Sequence, residues 1–205
     1  MKKMIELAFL LVSVGVMVAC SGKSDKDQGN KVDTSTEDIR PEGVIAEESF
    51  DAEVSYANWT DDKKVYTKAL NGDKLGGNIP CYPIYRFDTL AELEQFKVDF
   101  GDILTMDGGR DEVPAFNDVT AKYDDKFFEE KSVLLVYVEE SSGSPRYGVN
   151  SVYCDGKSLC VFVEKVHDPI VKTDDMAGWF VTVAIPDSMI ENCINFNACY
   201  YSENN

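Results

Sequence analysis

The sequence holds a single histidine, His167. Ser-His-Asp and Cys-His mechanisms need an imidazole as base, so such chemistry would have to run through that one residue. It precedes Asp168-Pro169, a loop-forming sequence, and nothing resembles a nucleophile elbow; the reading is an exposed or capped loop histidine. Cationic charge is scarce as well: 20 Lys and Arg stand against 37 Asp and Glu, for a net charge of −17. A field of that sign repels phosphate backbones and anionic bilayers, which argues against nucleic acid and against a basic membrane patch. No Cys-x-x-Cys occurs, nor any Cys/His grouping at metal-ligand spacing, so no metal centre and no cofactor are expected. Long apolar runs are missing too. The run from Leu7 to Ala19 has 13 residues, short of the roughly 20 that cross a bilayer.

What the chain does have begins at that run. Lys2 and Lys3 precede it and Met17-Val18-Ala19-Cys20 ends it, a pattern that resembles a bacterial lipoprotein signal. The resemblance implies removal of residues 1–19 and acylation of Cys20, with palmitate-type chains, as the first mature residue. It implies an extracytoplasmic protein, lipid-anchored in the cell membrane or outer membrane. From Ser21 to Glu48 there is no aromatic residue, and only Val32, Ile39, Val44, Ile45 and Ala46 could be buried. Such a segment cannot offset its ordering entropy, so residues 20–48 are expected as a flexible acidic stalk. Residues 49–205 then form one domain of ordinary size.

Five cysteines follow Cys20, an odd number that permits at most two bridges. Cys154 and Cys160 have the same spacing as Cys193 and Cys199, and these four are the candidates for disulfides. A hairpin centred on Lys157 would set Cys154 opposite Cys160 if its loop had an odd number of residues. In a reducing host all five would instead be small buried hydrophobes.

Alternation of Phe50, Ala52, Val54 and Tyr56 predicts a half-buried strand, and Val65 to Leu70 a short extended piece before the Asn71-Gly72 turn. Ile79 to Phe87 is aromatic and β-rich, but Pro80 and Pro83 confine it to an edge. Thr89 with Glu92 makes a capping box, and Leu90, Leu93, Phe96 and Phe100 follow at helical spacing. A second helix is expected from Pro114 to about Glu130. Val133 to Val138 is a continuous apolar run, which predicts a central strand covered on both faces. The strands around Tyr147–Tyr153 and Leu159–Val163 would complete a three-stranded meander with it, and Trp179, Val181, Val183 and Ile185 define one face of a further strand. A last short strand is expected within Cys193–Tyr201. The predicted class is α+β: an antiparallel sheet with one or two helices packed on one face.

The order of these parts over residues 87–187 resembles the C-terminal domain of the PrcB protease-complex-subunit family. A Thr89-led helix, a long loop and the VLLVYVEE strand are followed by the SSGSPRYG turn with Gly143 and Gly148. The CDGKSLCVFVEK hairpin, the His167-Asp168-Pro169 break and the WFVTVAIP strand complete the likeness. The resemblance implies a non-catalytic extracytoplasmic module that contacts a protease or another envelope protein, and it carries no catalytic residues.

Paired carboxylates abound at Asp124-Asp125, Glu129-Glu130, Glu139-Glu140 and Asp174-Asp175, and read mainly as solvated charged edges, with half of a calcium site as the alternative. The loop Asp107-Gly108-Gly109-Arg110-Asp111-Glu112 has oxygen ligands but lacks the spacing of an EF-hand. Asn58-Trp59-Thr60 matches a glycosylation sequon, read as incidental in a bacterial lipoprotein. Aromatics give the best binding hint, and Tyr147, Trp179, Tyr200 and Tyr201 are the candidate contact surface. The expectation is a non-enzymatic, membrane-tethered accessory module. The alternative is a small surface hydrolase or glycan-binding lipoprotein that uses carboxylates and aromatics, since glycoside hydrolysis needs no histidine.

Overall fold

Strand β4 (Lys131–Glu140) sets the architecture: every residue from Ser132 to Val138 is buried, so it must be covered on both faces. In the computed structural model, which describes residues 43–45, 49–75 and 81–201, that cover comes from a second sheet on one side and from helices on the other. The described residues all belong to one compact unit, Ile39–Asn205. The signal, Cys20 and nearly all of the expected stalk lie outside the described residues. The stalk's Val44–Ile45 do not, because they form β1, pairing antiparallel with Val152 and Tyr153.

The fold is α+β, with helices on one face as the sequence predicts. The strands, however, divide into two sheets rather than one. The central sheet has the order β2 (Asp51–Ala57), β7 (Ala177–Pro186), β4, β3 (Ile84–Phe87), all antiparallel. The outer sheet has the order β1, β5 (Arg146–Cys154), β6 (Ser158–His167), β8 (Asn195–Tyr200), with β6 and β8 parallel. The expected meander is thereby corrected to a β5–β6 hairpin, because β4 pairs with β7 over ten residue positions on one edge and with β3 on the other. The Ser141–Pro145 turn carries the chain from one sheet to the other.

Between the sheets the core is largely aliphatic: Leu134, Val136 and Val138 of β4 and Val181, Val183 and Ile185 of β7 meet Val152, Leu159, Val161 and Val163. On the opposite face, α2 (Leu90–Phe100) lays Leu93, Phe96 and Phe100 against Tyr85, Phe87, Leu135, Tyr137 and Phe180. Thr89 caps it as expected, its Oγ1 accepting from the Glu92 amide at 3.2 Å, while Glu92 Oε2 accepts from the amide of Asp88, one residue before the cap, at 2.7 Å.

Two other elements differ from their expectation. The Val65–Leu70 region is helical as α1 (Lys63–Thr67), because Asp62 caps it by accepting from the Lys64 amide at 2.8 Å. The long second helix is broken into α3 (Phe116–Thr120) and a 3-10 turn (Phe127–Glu129), which Asp124 starts by accepting from the Phe127 amide. A final short helix, α4 (Asp187–Ile190), leads toward β8. In β5 a bulge between Val149 and Ser151 changes the face the side chains occupy. Val152 and Cys154 therefore join the core where the simple alternation places Tyr153.

Candidate functional site

The carboxyl ends of β4 and β6 and the amino ends of β5 and β7 meet at one end of the sandwich. Their connections, with the 107–113 loop, build a pinned cluster there. Arg110 reaches under the β4–β5 turn, donates to Asp175 and lies 5.9 Å from the Tyr56 ring. A Cβ at Gly143 would meet that guanidinium, so a side chain there would push the end of Arg110 aside. Asp111, held at φ 54°, pairs with Arg146 at 3.0 Å. Arg146 also donates to the carbonyls of Gly143, Ser144 and Pro145 at 2.8 to 3.1 Å, with its plane 4.9 Å above the Trp179 ring. Three hydroxyls, of Ser142, Ser144 and Thr173, fasten the β6–β7 loop to the β4–β5 turn at 3.2 and 2.9 Å.

A second polar group spans the two sheets at the same end. Glu140 of β4 accepts from Tyr147 of β5 and pairs with Lys165 of β6 at 2.7 Å. Burial alone would raise this carboxyl, but the bonds from Lys165 and Tyr147 outweigh it and draw its pKa down to about 2. Glu140 is thus held ionised, the opposite of what a general acid requires.

On this frame the β6–β7 connection carries apolar side chains into solvent. Ile170 is fully exposed, Val171 is 84 % exposed, and Val166 and Met176 flank them at 61 % and 54 %. The exposed surface of this end is therefore apolar at its tip and salt-bridged beneath.

The aromatic surface expected from the sequence is corrected by burial. Trp179 is fully buried and Tyr147 is 4 % exposed, because both point into the core between the sheets; Tyr200 and Tyr201 are half-buried. His167 is exposed at the end of β6, opposite Arg146. Cys154 is not opposite Cys160: the register pairs Cys154 with Leu159 and Tyr153 with Cys160, and Gly156 at φ 82° turns the hairpin. Cys154 instead faces Cys193, and Cys199 lies near Cys81.

The acidic loop is engaged by protein donors. Asp107 accepts from Asn117 and Asp111 from Arg146, and among the described residues no three His, Cys, Asp or Glu are grouped to hold a metal ion. Asn58 spends its side-chain amide on the 103–105 loop, accepting from Thr105 Oγ1 at 2.9 Å and donating to the Ile103 carbonyl at 3.0 Å. A hollow of about 280 Å³ beside α2 is lined by Phe87, Phe96 and Phe100 together with Glu92 and Asp99. Those two carboxylates stand seven residues apart on one helix, a backbone rise of roughly 10 Å, and each accepts from a protein donor, Glu92 from the Asp88 amide and Asp99 from Gln95. Another, of about 410 Å³, has Glu129, Glu130 and Asp187 in its lining but no aromatic ring.

What the fold and this end of the molecule define is a two-sheet α+β domain that presents an apolar loop on a salt-bridged frame. Compared with known proteins, the chain matches no family model, no curated protein and no solved structure. Sequence reasoning missed Arg110, Arg146, Ile170 and Val171. The one signal for the last two was an Ile-Val pair between a loop proline and an acidic stretch.

Proposed function

We propose that the protein is a non-enzymatic accessory module, tethered outside the membrane by lipid on Cys20, that engages another envelope protein through the β6–β7 loop. The observation that carries this reading is the exposure of Ile170 and Val171 on a loop fastened by Thr173 and Asp175. A side chain held out in water without cover loses the hydrophobic gain of burial, and a pinned loop loses little further entropy when a partner supplies that cover. A protein fits this surface better than an anionic bilayer, since the chain carries −17 net charge and Asp168, Asp174 and Asp175 border the loop. The resemblance to the PrcB family agrees with such a role and adds a surface protease as the partner class. The held ionisation of Glu140 and the protein donors on Glu92 and Asp99 support this reading over the hydrolase alternative.

The test places a photo-crosslinking residue at position 170 of the full, lipidated chain and recovers conjugates from the native cell surface. The expected result is one discrete envelope protein, lost by at least about tenfold when Val171 is replaced by Asp. Conjugates spread over many proteins, or unaffected by V171D, would sink the proposal. A mature mass without acyl chains at Cys20 would remove the tether independently of the partner.

A further inference from the structure

Among the described residues five cysteines lie on or beside the outer sheet, and the backbone sorts four of them into two facing pairs. Cys154 ends β5, and Cys193 lies between α4 and β8. The amides of Ile194 and Asn195 donate to the Lys157 carbonyl at 2.8 and 3.1 Å, which seats the chain just after Cys193 on the β5–β6 turn. The two sulfurs are 2.8 Å apart in the core between the sheets. Cys81 stands opposite Cys199 in an antiparallel bridge, with sulfurs 3.8 Å apart. The Tyr82 amide donates to the Ala198 carbonyl at 2.8 Å, which makes Cys81 and Cys199 a non-hydrogen-bonded pair of that bridge. Residues opposed in this way have Cα atoms roughly 4.5 Å apart and side chains drawn together, within the span of a disulfide. Cys160 has no such partner. Its register places Tyr153 opposite it on β5 and Asn197 opposite it on β8, with Cys199 two residues further along β8. That diagonal is roughly 8 Å between Cα atoms, beyond the roughly 7 Å that a disulfide tolerates.

We propose that Cys154–Cys193 and Cys81–Cys199 are two disulfide sites, closed by an external disulfide as oxidant, which fasten β8 to the rest of the domain at both its ends while Cys160 stays a thiol. In the first pair Cys154 is half-buried and meets the oxidant, and buried Cys193 completes the bridge; in the second both members are half-buried. The thiolate of the first cysteine attacks one sulfur of RSSR, which forms a mixed disulfide and releases RS⁻. The partner thiolate attacks the protein sulfur of that mixed disulfide and expels the second RS⁻. The two RS⁻ take up the two protons that the cysteines lost. Each bridge thus removes two electrons from the protein and reduces RSSR to two RSH.

The position of β8 gives the bridges their consequence. It is an edge strand of six residues whose strand neighbour in the outer sheet is β6, and that pairing is parallel, the slightly weaker kind per residue. Cys193 lies just before it and Cys199 near its end. One bridge ties its start to β5. The other ties its end to the segment that enters the central sheet, where the Pro83 carbonyl accepts from the Tyr137 amide at 3.0 Å. The joined cysteines are 39 and 118 residues apart in sequence, so each bridge removes much loop-closure entropy from the unfolded chain. The pairing rests on neither the accessory role nor the lipid tether proposed above.

The test treats the reduced full chain with oxidised glutathione, alkylates the remaining thiols and maps the bonds by mass spectrometry after trypsin and chymotrypsin digestion. Cleavage after Lys157 separates Cys154 from Cys160, and cleavage after Phe196 separates Cys193 from Cys199. The expected products are Cys154–Cys193 and Cys81–Cys199 as the major bridged peptides, with Cys160 alkylated. Both bridges should persist in Cys160→Ser, and in Cys154→Ser the Cys81–Cys199 bridge should still form while Cys193 becomes alkylated. The oxidised chain should melt about 10 °C above the reduced one. A major bridge between Cys154 and Cys160, between Cys193 and Cys199, or to Cys20 overturns the pairing, as does recovery of all four as alkylated thiols. Equal melting temperatures overturn the fastening of β8. The bond map of the parent chain needs no variant to fold and is decisive for the pairing by itself.

Discussion

The two faces of the central sheet are filled by different chemistry. Toward the outer sheet, β4 and β7 offer Leu134, Val136, Val138, Val181, Val183 and Ile185, with Trp179 as the one ring among them; toward the helices, the same two strands offer Leu135, Tyr137 and Phe180 to Phe96, Phe100 and Phe116. Two twisted sheets keep a nearly constant gap of about 10 Å, which branched aliphatic side chains fill from both sides. A helix over a sheet leaves a wedge of varying depth. Here rings fill that wedge: Phe180 lies 4.7 Å from Phe116, 5.9 Å from Tyr137 and 6.1 Å from Phe96, centroid to centroid. The aliphatic side is many small contacts shared among strands, while the aromatic side depends on a few large rings that touch one another.

That contrast is broken most directly at Phe180. Phe180→Ala removes the ring at the centre of the aromatic cluster and leaves a void that a short, capped helix cannot collapse into, for an expected loss of about 4 kcal/mol. Leu134→Ala on the opposite face deletes a fully buried side chain among neighbours that can shift toward it, for about 3 kcal/mol. Urea unfolding of the two variants decides the matter. An equal loss, or a larger one for Leu134→Ala, would mean that the ring cluster has no special standing.

The aliphatic side was the more legible of the two in the sequence. Val133 to Val138 announces a doubly covered strand, and Trp179, Val181, Val183 and Ile185 announce the β7 face that the structure buries. The opposite face of β7 was hidden because Phe180, Thr182 and Ala184 read as the outside of a half-exposed strand until helices are known to cover them. The division into two sheets was hidden for a different reason. Ser141 to Pro145 has the composition of a hairpin turn, and only the ten-residue pairing of β4 with β7 shows that it crosses between sheets. The proposed site was least legible. Tyr147 and Trp179 carried the sequence signal for a binding surface yet turned into the core, whereas Ile170 and Val171 acquire meaning only when Arg110, Asp175 and Thr173 hold their loop out in solvent.

A smaller change sharpens the comparison by loosening one side alone. Thr89 holds the first turn of α2, and Thr89→Ala is expected to cost about 1 kcal/mol. Hydrogen exchange should accelerate across α2 while β5 and β6, on the far side of the central sheet, keep their protection. Acceleration spread evenly over both sheets would show that the two faces open as one cooperative unit.

The smallest effect belongs to Glu140, which joins β4 to β5 and β6 and so ties the aliphatic side together at its polar end. Its carboxyl falls from an ordinary value of 4.5 to about 2 in the fold, since the bonds from Lys165 and Tyr147 outweigh the opposing effect of burial. A depressed carboxylate contributes its full stability above the unfolded value and loses it as pH drops from about 4.5 toward about 2. Glu140→Gln removes that dependence. Its stability should fall by about 1 kcal/mol at neutral pH, after allowance for screening by water, and the gap to the parent should close through the acid window. Acid titration of both proteins by tryptophan fluorescence reads this near the site, because Trp179 shares the core between the sheets with Tyr147. A gap that persists unchanged at pH values near 2 would show that Glu140 acts there through shape and not through charge.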